Sequence, residues 1–268
     1  MSMSYSAYFG FKAEPFSSEI SGKNLLKLPS MVMVKERFDY IMGGGVFIIT
    51  GDVGSGKSTS LRWSQGQYHP SQYLFLNIVA SGGSLVEFYR QLCWNLEIET
   101  KAGSRTGILK SFRSTIEDVV NTKKQKIIIV VDEAHLLRID VFSELHTVTQ
   151  FNIDSKNLFS LVLAGQPNLI EKMTYRSSAP LASRVIARTH ISQLNQEQMA
   201  IYLEHHLNIA GVKKQLFSDQ AVTAIYQGSG GILRKANHLA RGGLIAAATG
   251  KEYTVTAEHI RIASTEIM

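Results

Sequence analysis

The feature that most constrains this sequence is a glycine-rich segment that directly follows a short apolar run. Residues 46–49 are apolar and mostly β-branched, which predicts a buried strand. Gly51 and Gly56 then bracket four residues ahead of Lys57 and Ser58. This is the spacing of a phosphate-binding loop between a strand and a helix. A chain built around such a loop is expected to be an α/β protein with a parallel sheet.

The residue types in this loop have a physical reason. Glycines let successive main-chain N–H groups point at phosphate oxygens, and the following helix adds the positive end of its dipole. Lys57 is predicted to meet the β- and γ-phosphates, and the Ser58 hydroxyl is predicted to ligate Mg²⁺. The alternative is an ordinary glycine-rich turn. The predicted nucleotide-binding residues are Gly51, Asp52, Val53, Gly54, Ser55, Gly56, Lys57, Ser58 and Thr59.

A second apolar run supplies the acidic partner that such a loop requires. Residues 127–131 are all Ile or Val and end in Asp132 and Glu133. Five β-branched residues in succession favour a strand that is covered on both faces of a parallel sheet. Asp132 is predicted to hold the Mg²⁺ shell, and Glu133 to polarise the attacking water. The predicted chemistry is therefore ATP hydrolysis, and the alternative is a surface acidic pair.

Strand and helix patterns alternate along the first two thirds of the chain. This alternation predicts a parallel sheet with helices on both faces. From about residue 195 only helical patterns follow, which predicts a C-terminal all-helical lid (195–268) after an α/β nucleotide-binding domain (1–194). No Asn-Lys-x-Asp motif of guanine selection follows the fourth strand, so adenine is favoured. The predicted strands are 46–49, 73–79, 127–131, 158–167 and 188–192, and the predicted helices of the α/β part are 58–65, 84–97, 107–121 and 141–151.

Several further polar residues are candidates for catalysis. Gln166, after the fourth strand, is predicted to sense the γ-phosphate, or else it is a turn residue before proline. Arg184 is predicted to reach a neighbouring subunit's active site, with Arg176 and Arg188 as rivals. Arg234, in the first turn of a lid helix, is predicted to reach back to the nucleotide. The alternative for each arginine is a solvated surface position.

Composition limits the class of protein and of partner. The 28 Lys and Arg exceed the 22 Asp and Glu, giving a net charge of +6, which favours polyanionic partners. The lone Cys93 excludes an internal disulfide, and no paired Cys/His metal spacing occurs. No run of about 18 apolar residues predicts a membrane span. A soluble, cytoplasmic protein is expected, with Cys93 and Trp94 as packing residues and the lysines at 123–126 and 213–214 as basic surface clusters.

Taken together, these motifs identify the chain as similar to ExeA-type AAA+ ATPases. The resemblance implies an ATPase core with a helical lid, a ring or filament of subunits, Arg234 as the lid's sensor, and an N-terminal segment (1–40) whose aromatic residues lie beside the adenine. Leu233 departs from the family's usual proline. The motifs are Tyr8-Phe9-Gly10-Phe11, Glu14-Pro15-Phe16, Gly51-Asp52-Val53-Gly54-Ser55-Gly56-Lys57-Ser58, Val131-Asp132-Glu133-Ala134-His135, Leu163-Ala164-Gly165-Gln166-Pro167 and Gly230-Gly231-Ile232-Leu233-Arg234 with Asn237.

Three candidate functions stay open for this chain. Secretion members of the family carry a membrane segment and a wall-binding domain after the ATPase, and this sequence ends without them. Short members accompany transposases, so the leading hypothesis is an oligomeric Mg²⁺-dependent ATPase that binds duplex DNA and serves a transposase. The alternative is an ATPase subunit that assembles secretion machinery through a membrane partner. A monomeric kinase is the third candidate.

For the N-terminal Phe9, Phe11 and Phe16, anchoring beneath the sheet is the alternative to adenine contact.

Overall fold

The computed structural model describes residues 4–17, 19–98, 104–149 and 157–265. Their contacts divide the chain into two compact units. The sheet unit consists of Leu28–Asp52 and Lys57–Ile191, and the helical unit of Met1–Lys27, Val53–Gly56 and Ser192–Met268. The loop residues 53–56 and the N-terminal segment thus group with the C-terminal helices. The division at residue 194 stays a prediction.

The sheet unit is built on five parallel strands in the order β2-β3-β4-β1-β5 among the described residues. All five predicted strands are present. The last one begins three residues earlier than expected, because Val185 already pairs with Val46 of the first strand. The strands are β1 (Gly45–Gly51), β2 (Tyr73–Val79), β3 (Lys126–Asp132), β4 (Phe159–Gly165) and β5 (Val185–Ile191).

Helices α1 and α2 precede the first strand, and helices α3 to α12 connect or follow the strands. The four helices predicted between the strands are present, and the predicted end of the fourth at residue 151 lies outside the described residues. The helices are α1 (Tyr5–Phe9), α2 (Pro29–Ile41), α3 (Lys57–Gln65), α4 (Leu85–Asn95), α5 (Arg105–Asn121), α6 (Ile139–Thr149), α7 (Leu169–Thr174), α8 (Ala179–Ala182), α9 (Gln196–Ile209), α10 (Asp219–Ser229), α11 (Leu233–Thr249) and α12 (Ala257–Thr265).

Both faces of the sheet are buried. In β1, Val46 and Ile48 belong to one hydrophobic cluster, whereas Phe47 and Ile49 belong to another. This alternation follows from the period of two along a strand. It explains why the strands read as continuous apolar runs, and it leaves the ends of the strands as the places where polar side chains can gather.

Two helices of the helical unit, α9 and α10, begin at polar caps. Asn195 and Gln198 form a reciprocal capping box at the start of α9, and the Ser218 hydroxyl accepts a hydrogen bond from the Ala221 N–H at the start of α10. Such caps satisfy N–H groups that have no partner within the helix. Ser218 is therefore the N-cap of α10.

The N-terminal aromatic residues pack within the helical unit. Phe9 is 2% and Phe16 is 5% exposed. The Phe9 ring contacts Tyr253, and Phe16 stacks on His206 with 5.1 Å between ring centroids. The alternative that placed these rings beneath the sheet is wrong, because the apolar C-terminal helices provide their packing partners.

One packing prediction in the sheet unit also needs correction. Cys93 is fully buried, but Trp94, the next residue of α4, is 81% exposed. Adjacent helical residues are about 100° apart around the helix axis, so the two side chains have different environments.

No helix among the described residues combines the length and apolar character that a membrane crossing requires.

Candidate active site

The loop after β1 is shaped by two glycines with left-handed backbone. Gly54 has φ +81° and Gly56 has φ +99°, a region that side chains rarely allow. A Cβ on Gly54 would lie 2.7 Å from the Arg234 Cβ, so space also requires glycine there. Gly51 differs, because it is the last residue of β1. The curl of the loop therefore depends on positions 54 and 56.

Lys57 begins α3 and is 5% exposed. Its Nζ donates hydrogen bonds to the main-chain oxygens of Gly51 and Asp52, both at 2.9 Å. A buried ammonium group is stabilised by such partners. The loop's own carbonyls thus hold the positive charge of Lys57 at the end of β1.

The hydroxyl of Ser58 and the carboxylate of Asp132 meet at the same edge of the sheet. Ser58 Oγ donates to Asp132 Oδ2 at 2.6 Å, and Asp132 Oδ1 accepts the Glu133 N–H at 2.9 Å. These residues are 74 positions apart in sequence, and the parallel sheet brings them together because α3 and β3 both begin or end at its carboxyl edge.

The predicted Mg²⁺ ligands fit that ion chemically. Mg²⁺ prefers oxygen ligands and is commonly held by one or two protein groups together with phosphates and waters. Ser58 and Asp132 supply a hydroxyl and a carboxylate side by side. Among the described residues no cluster of three His, Cys, Asp or Glu side chains could hold a metal. This donor set suits a cation that is shared with a nucleotide.

Ser55 provides a further polar group in the loop. Its residue is 5% exposed, and its Oγ makes no hydrogen bond within the described part of the chain. A buried hydroxyl without a partner costs free energy. A phosphate oxygen is a suitable acceptor for it, so the loop fits a nucleotide.

Glu133 follows β3 in an unusual backbone conformation. Its φ is +53° and its ψ is +30°, a region that costs a non-glycine residue free energy. The Glu133 carboxylate Oε2 lies 3.3 Å from Nδ1 of His135. Sequence reasoning missed His135, although its place three residues after Asp132 was a usable signal.

Gln166 follows β4, the strand between β3 and β1. The structure places its main-chain N–H 3.4 Å from His135 Nδ1. Since all strands are parallel, Gln166 lies at the same carboxyl edge as Asp132. The role of its side-chain amide as a phosphate sensor stays a prediction.

Arg184 lies at the opposite edge of the sheet. Its main-chain oxygen accepts the N–H of Val46, near the start of β1, and its guanidinium Nη1 donates to Pro180 O at 2.8 Å. A seven-residue strand spans about 20 Å. The structure therefore does not bring Arg184 to Lys57 of the same chain. Arg176 and Arg188 are exposed.

Arg234 belongs to the helical unit, at the start of α11. Its main-chain N–H donates to Gly54 O at 3.2 Å, while its side chain is exposed. The first turn of this helix thus contacts the phosphate-binding loop within the same unit. The sensor role of its guanidinium stays a prediction.

Comparison with known proteins agrees with this geometry. Residues 41–173 match a family described as AAA domain. The match spans the loop, the acidic pair and Gln166. These residues of the chain are thus similar to the AAA domain family, as the sequence motifs predicted.

The chain is also similar to a larger curated protein. It is 28% identical over 270 residues to general secretion pathway protein A of Aeromonas hydrophila, covering 98% of this chain and 48% of that protein. The chain thus spans about half the length of the curated relative that it matches. The predicted resemblance to ExeA-type AAA+ ATPases is confirmed.

Solved structures show the same fold. Cdc6p from Pyrobaculum aerophilum has a TM-score of 0.74 at 17% identity, covering 94% of this chain and 70% of that chain. The Aeropyrum pernix ORC1 protein in complex with DNA has a TM-score of 0.67 at 16% identity, covering 93% of this chain and 68% of that one. The predicted parallel sheet with flanking helices and a helical C-terminal part is confirmed.

Proposed function

We propose that this ATPase is a cytoplasmic oligomer that hydrolyses ATP with Mg²⁺, binds duplex DNA in its ATP state and helps or regulates a transposase. The observation that carries the catalytic part is the meeting of Ser58 and Asp132 at 2.6 Å beside the buried Lys57. When bound, Mg²⁺ supplies positive charge that neutralises the phosphates.

Each residue of the proposed site has its own role in catalysis. Main-chain N–H groups of residues 51–58 bind the phosphates, Lys57 stabilises charge on the β- and γ-phosphates, and Ser58 with Asp132 holds the metal shell. Glu133 accepts a proton from the attacking water. Gln166 and Arg234 sense the γ-phosphate.

Oligomerisation completes the proposed site. Arg184 lies one strand length from Lys57 of its own chain, so its guanidinium serves an adjacent subunit if it acts in catalysis. There it stabilises charge on the transferring phosphoryl group. This arrangement links hydrolysis to assembly into a ring or filament.

Charge supports the DNA part of the proposal. The net charge of +6 favours contact with a polyanion. Lys123, Lys124, Lys213 and Lys214 are exposed, and they provide phosphate contacts without base recognition. The structural relative ORC1 was solved in complex with DNA, which supports the same class of partner here.

Retention of a random-sequence duplex, with and without ATP, tests the DNA function. We expect ATP-dependent retention at low salt that weakens steeply as salt rises, because bound lysines displace counterions. Lys57→Ala is the control that lacks ATP binding. Equal retention with and without ATP, or none at low salt, contradicts the proposal. Added transposase should be retained only with the ATP-bound complex.

A second candidate function rests on the relative of Aeromonas hydrophila. The 28% identity covers 98% of this chain, which favours an ATPase subunit that assembles secretion machinery with a membrane partner. Purified membrane vesicles containing the secretion proteins test it by co-sedimentation. Binding to such vesicles together with indifference to DNA would replace the DNA proposal.

A further inference from the structure

The His135 ring connects the catalytic glutamate to the end of β4. Its Nδ1 lies 3.3 Å from Glu133 Oε2 and 3.4 Å from the main-chain N of Gln166. His135 is 8% exposed, so solvent does not provide it with easy alternative partners. One ring nitrogen thus faces two groups of the site.

The position of this ring is fixed by a glycine in β4. A Cβ on Gly165 would lie 3.2 Å from His135 Nδ1 and 3.1 Å from its main-chain N. Both distances are tighter than ordinary van der Waals contact. The absence of a side chain at position 165 therefore gives the ring its space against the strand that carries Gln166.

The main chain of Glu133 is held independently of His135. Its N–H donates to Asp132 Oδ1 at 2.9 Å, and its oxygen accepts the Leu136 N–H at 2.8 Å. These bonds keep its φ at +53°. They leave the direction of the carboxylate to side-chain contacts, and among the described residues His135 provides such a contact.

We propose that His135 is a positioning residue that orients the Glu133 carboxylate for hydrolysis and couples it to the end of β4. A protonated Nδ1 donates to the carboxylate, whereas an unprotonated Nδ1 accepts the Gln166 N–H. The nitrogen can satisfy one of these partners at a time. The inference rests on the role of Glu133 in the proposed function.

Three substitutions test this positioning role by steady-state ATP hydrolysis. His135→Leu should lower kcat by about 10- to 100-fold with KM within about twofold, because a misplaced catalytic group slows the chemical step. His135→Asn should restore most of the rate, since its amide nitrogen replaces Nδ1 as a donor. His135→Gln, whose amide replaces Nε2 instead, is the matched control and should remain slow.

A double variant separates positioning from general structural damage. If His135 acts through Glu133, His135→Leu should lower the residual rate of Glu133→Gln by less than about twofold. Gly165→Ala should lower kcat in the same way as His135→Leu, because the new methyl group displaces the ring. Nucleotide affinity and the unfolding temperature, measured for each variant, identify any variant that is poorly folded.

The outcomes distinguish this inference from the proposed function. Unchanged kcat in His135→Leu, equal rates for the Asn and Gln variants, or additive losses in the double variant overturn the positioning role. If Glu133→Gln itself hydrolyses ATP at the normal rate, the catalytic assignment of Glu133 fails. DNA retention is measured separately and depends on neither result.

Discussion

One buried polar side chain from each of the two units, Lys57 and His206, shows how differently such groups are accommodated. At the sheet's carboxyl edge, Lys57 is buried and donates to two main-chain oxygens. In the helical unit, His206 is 3% exposed, and its Nδ1 has no hydrogen-bond partner within the described residues. Burial, together with the smaller effect of the neighbouring His205, lowers the pKa of His206 to about 4.

This difference separates a site from a core. Lys57 Nζ is held by two main-chain oxygens of the loop that is expected to bind the ligand. His206 is neutral at pH 7 and packs flat against Phe16 with 10° between the ring planes. Burial alone therefore does not identify a functional group.

The largest effect is expected at the catalytic edge. Glu133→Gln should lower kcat by up to about 10⁴-fold, because an amide cannot accept the proton of the attacking water. ATP affinity should stay near normal, since the loop residues are unchanged. Glu117→Gln, on the exposed surface of α5, is the matched control. Steady-state hydrolysis and ATP titration check both, and loss of affinity in Glu133→Gln would contradict the assignment.

Arg184→Ala should lower kcat by about 10³-fold in the assembled protein. Because Glu133 and Arg184 lie at opposite edges of the sheet, subunits that each lack one of them are expected to complement each other. Mixed assemblies of Arg184→Ala and Glu133→Gln subunits should recover activity, because some sites combine an intact Glu133 with an intact Arg184 from the neighbour. Arg176→Ala and Arg188→Ala are the controls. Full activity of Arg184→Ala in a strictly monomeric sample would contradict a role of Arg184 in the active site of a neighbouring subunit.

His206 predicts acid sensitivity of the helical unit. Because its folded pKa is about 4 and its unfolded pKa about 6.5, the unfolded chain binds more protons between these values. The free energy of unfolding should therefore fall by about 3 kcal/mol as pH drops from 6.5 to 4. Denaturant titrations across this range measure the slope of the unfolding free energy against pH. His206→Phe should remove the part of the slope that comes from this histidine. An unchanged slope in the variant contradicts the assignment.

The smallest effect is expected at Trp94. Its side chain is 81% exposed, so Trp94→Ala should change the free energy of unfolding by no more than about 0.5 kcal/mol. Phe88→Ala, at a residue of the same helix that is 5% exposed, should cost about 3–5 kcal/mol. Denaturant titration compares the two. A large loss of unfolding free energy in Trp94→Ala would contradict the assignment of Trp94 as a surface residue.

The sequence predicted the strands, and the place of the acidic pair Asp132 and Glu133 at the end of β3, because these signals are local. The period-two burial in β1 and the acidic residues after β3 depend on neighbours in sequence. Helix α2 was missed, although Met31, Val34, Phe38 and Ile41 are buried at helical spacing and Pro29 lies in its first turn. Its pattern was present in the sequence and was not used.

Other features depend on long-range packing that no local pattern contains. The strand order follows from crossover connections, and the contact of His135 with Gln166 requires β4 to lie beside β3. The exposed Trp94 beside the buried Cys93 likewise reflects which face of α4 meets the sheet. These features required the structure.

Calorimetric titration of ATP with Mg²⁺ into the folded protein tests the central claim most directly. The account predicts saturable heat with one nucleotide per chain, and the loss of that heat in Lys57→Ala at unchanged unfolding temperature. Well-folded protein that releases no heat on titration would contradict the assignment of residues 51–58 and 132–133 as a nucleotide site.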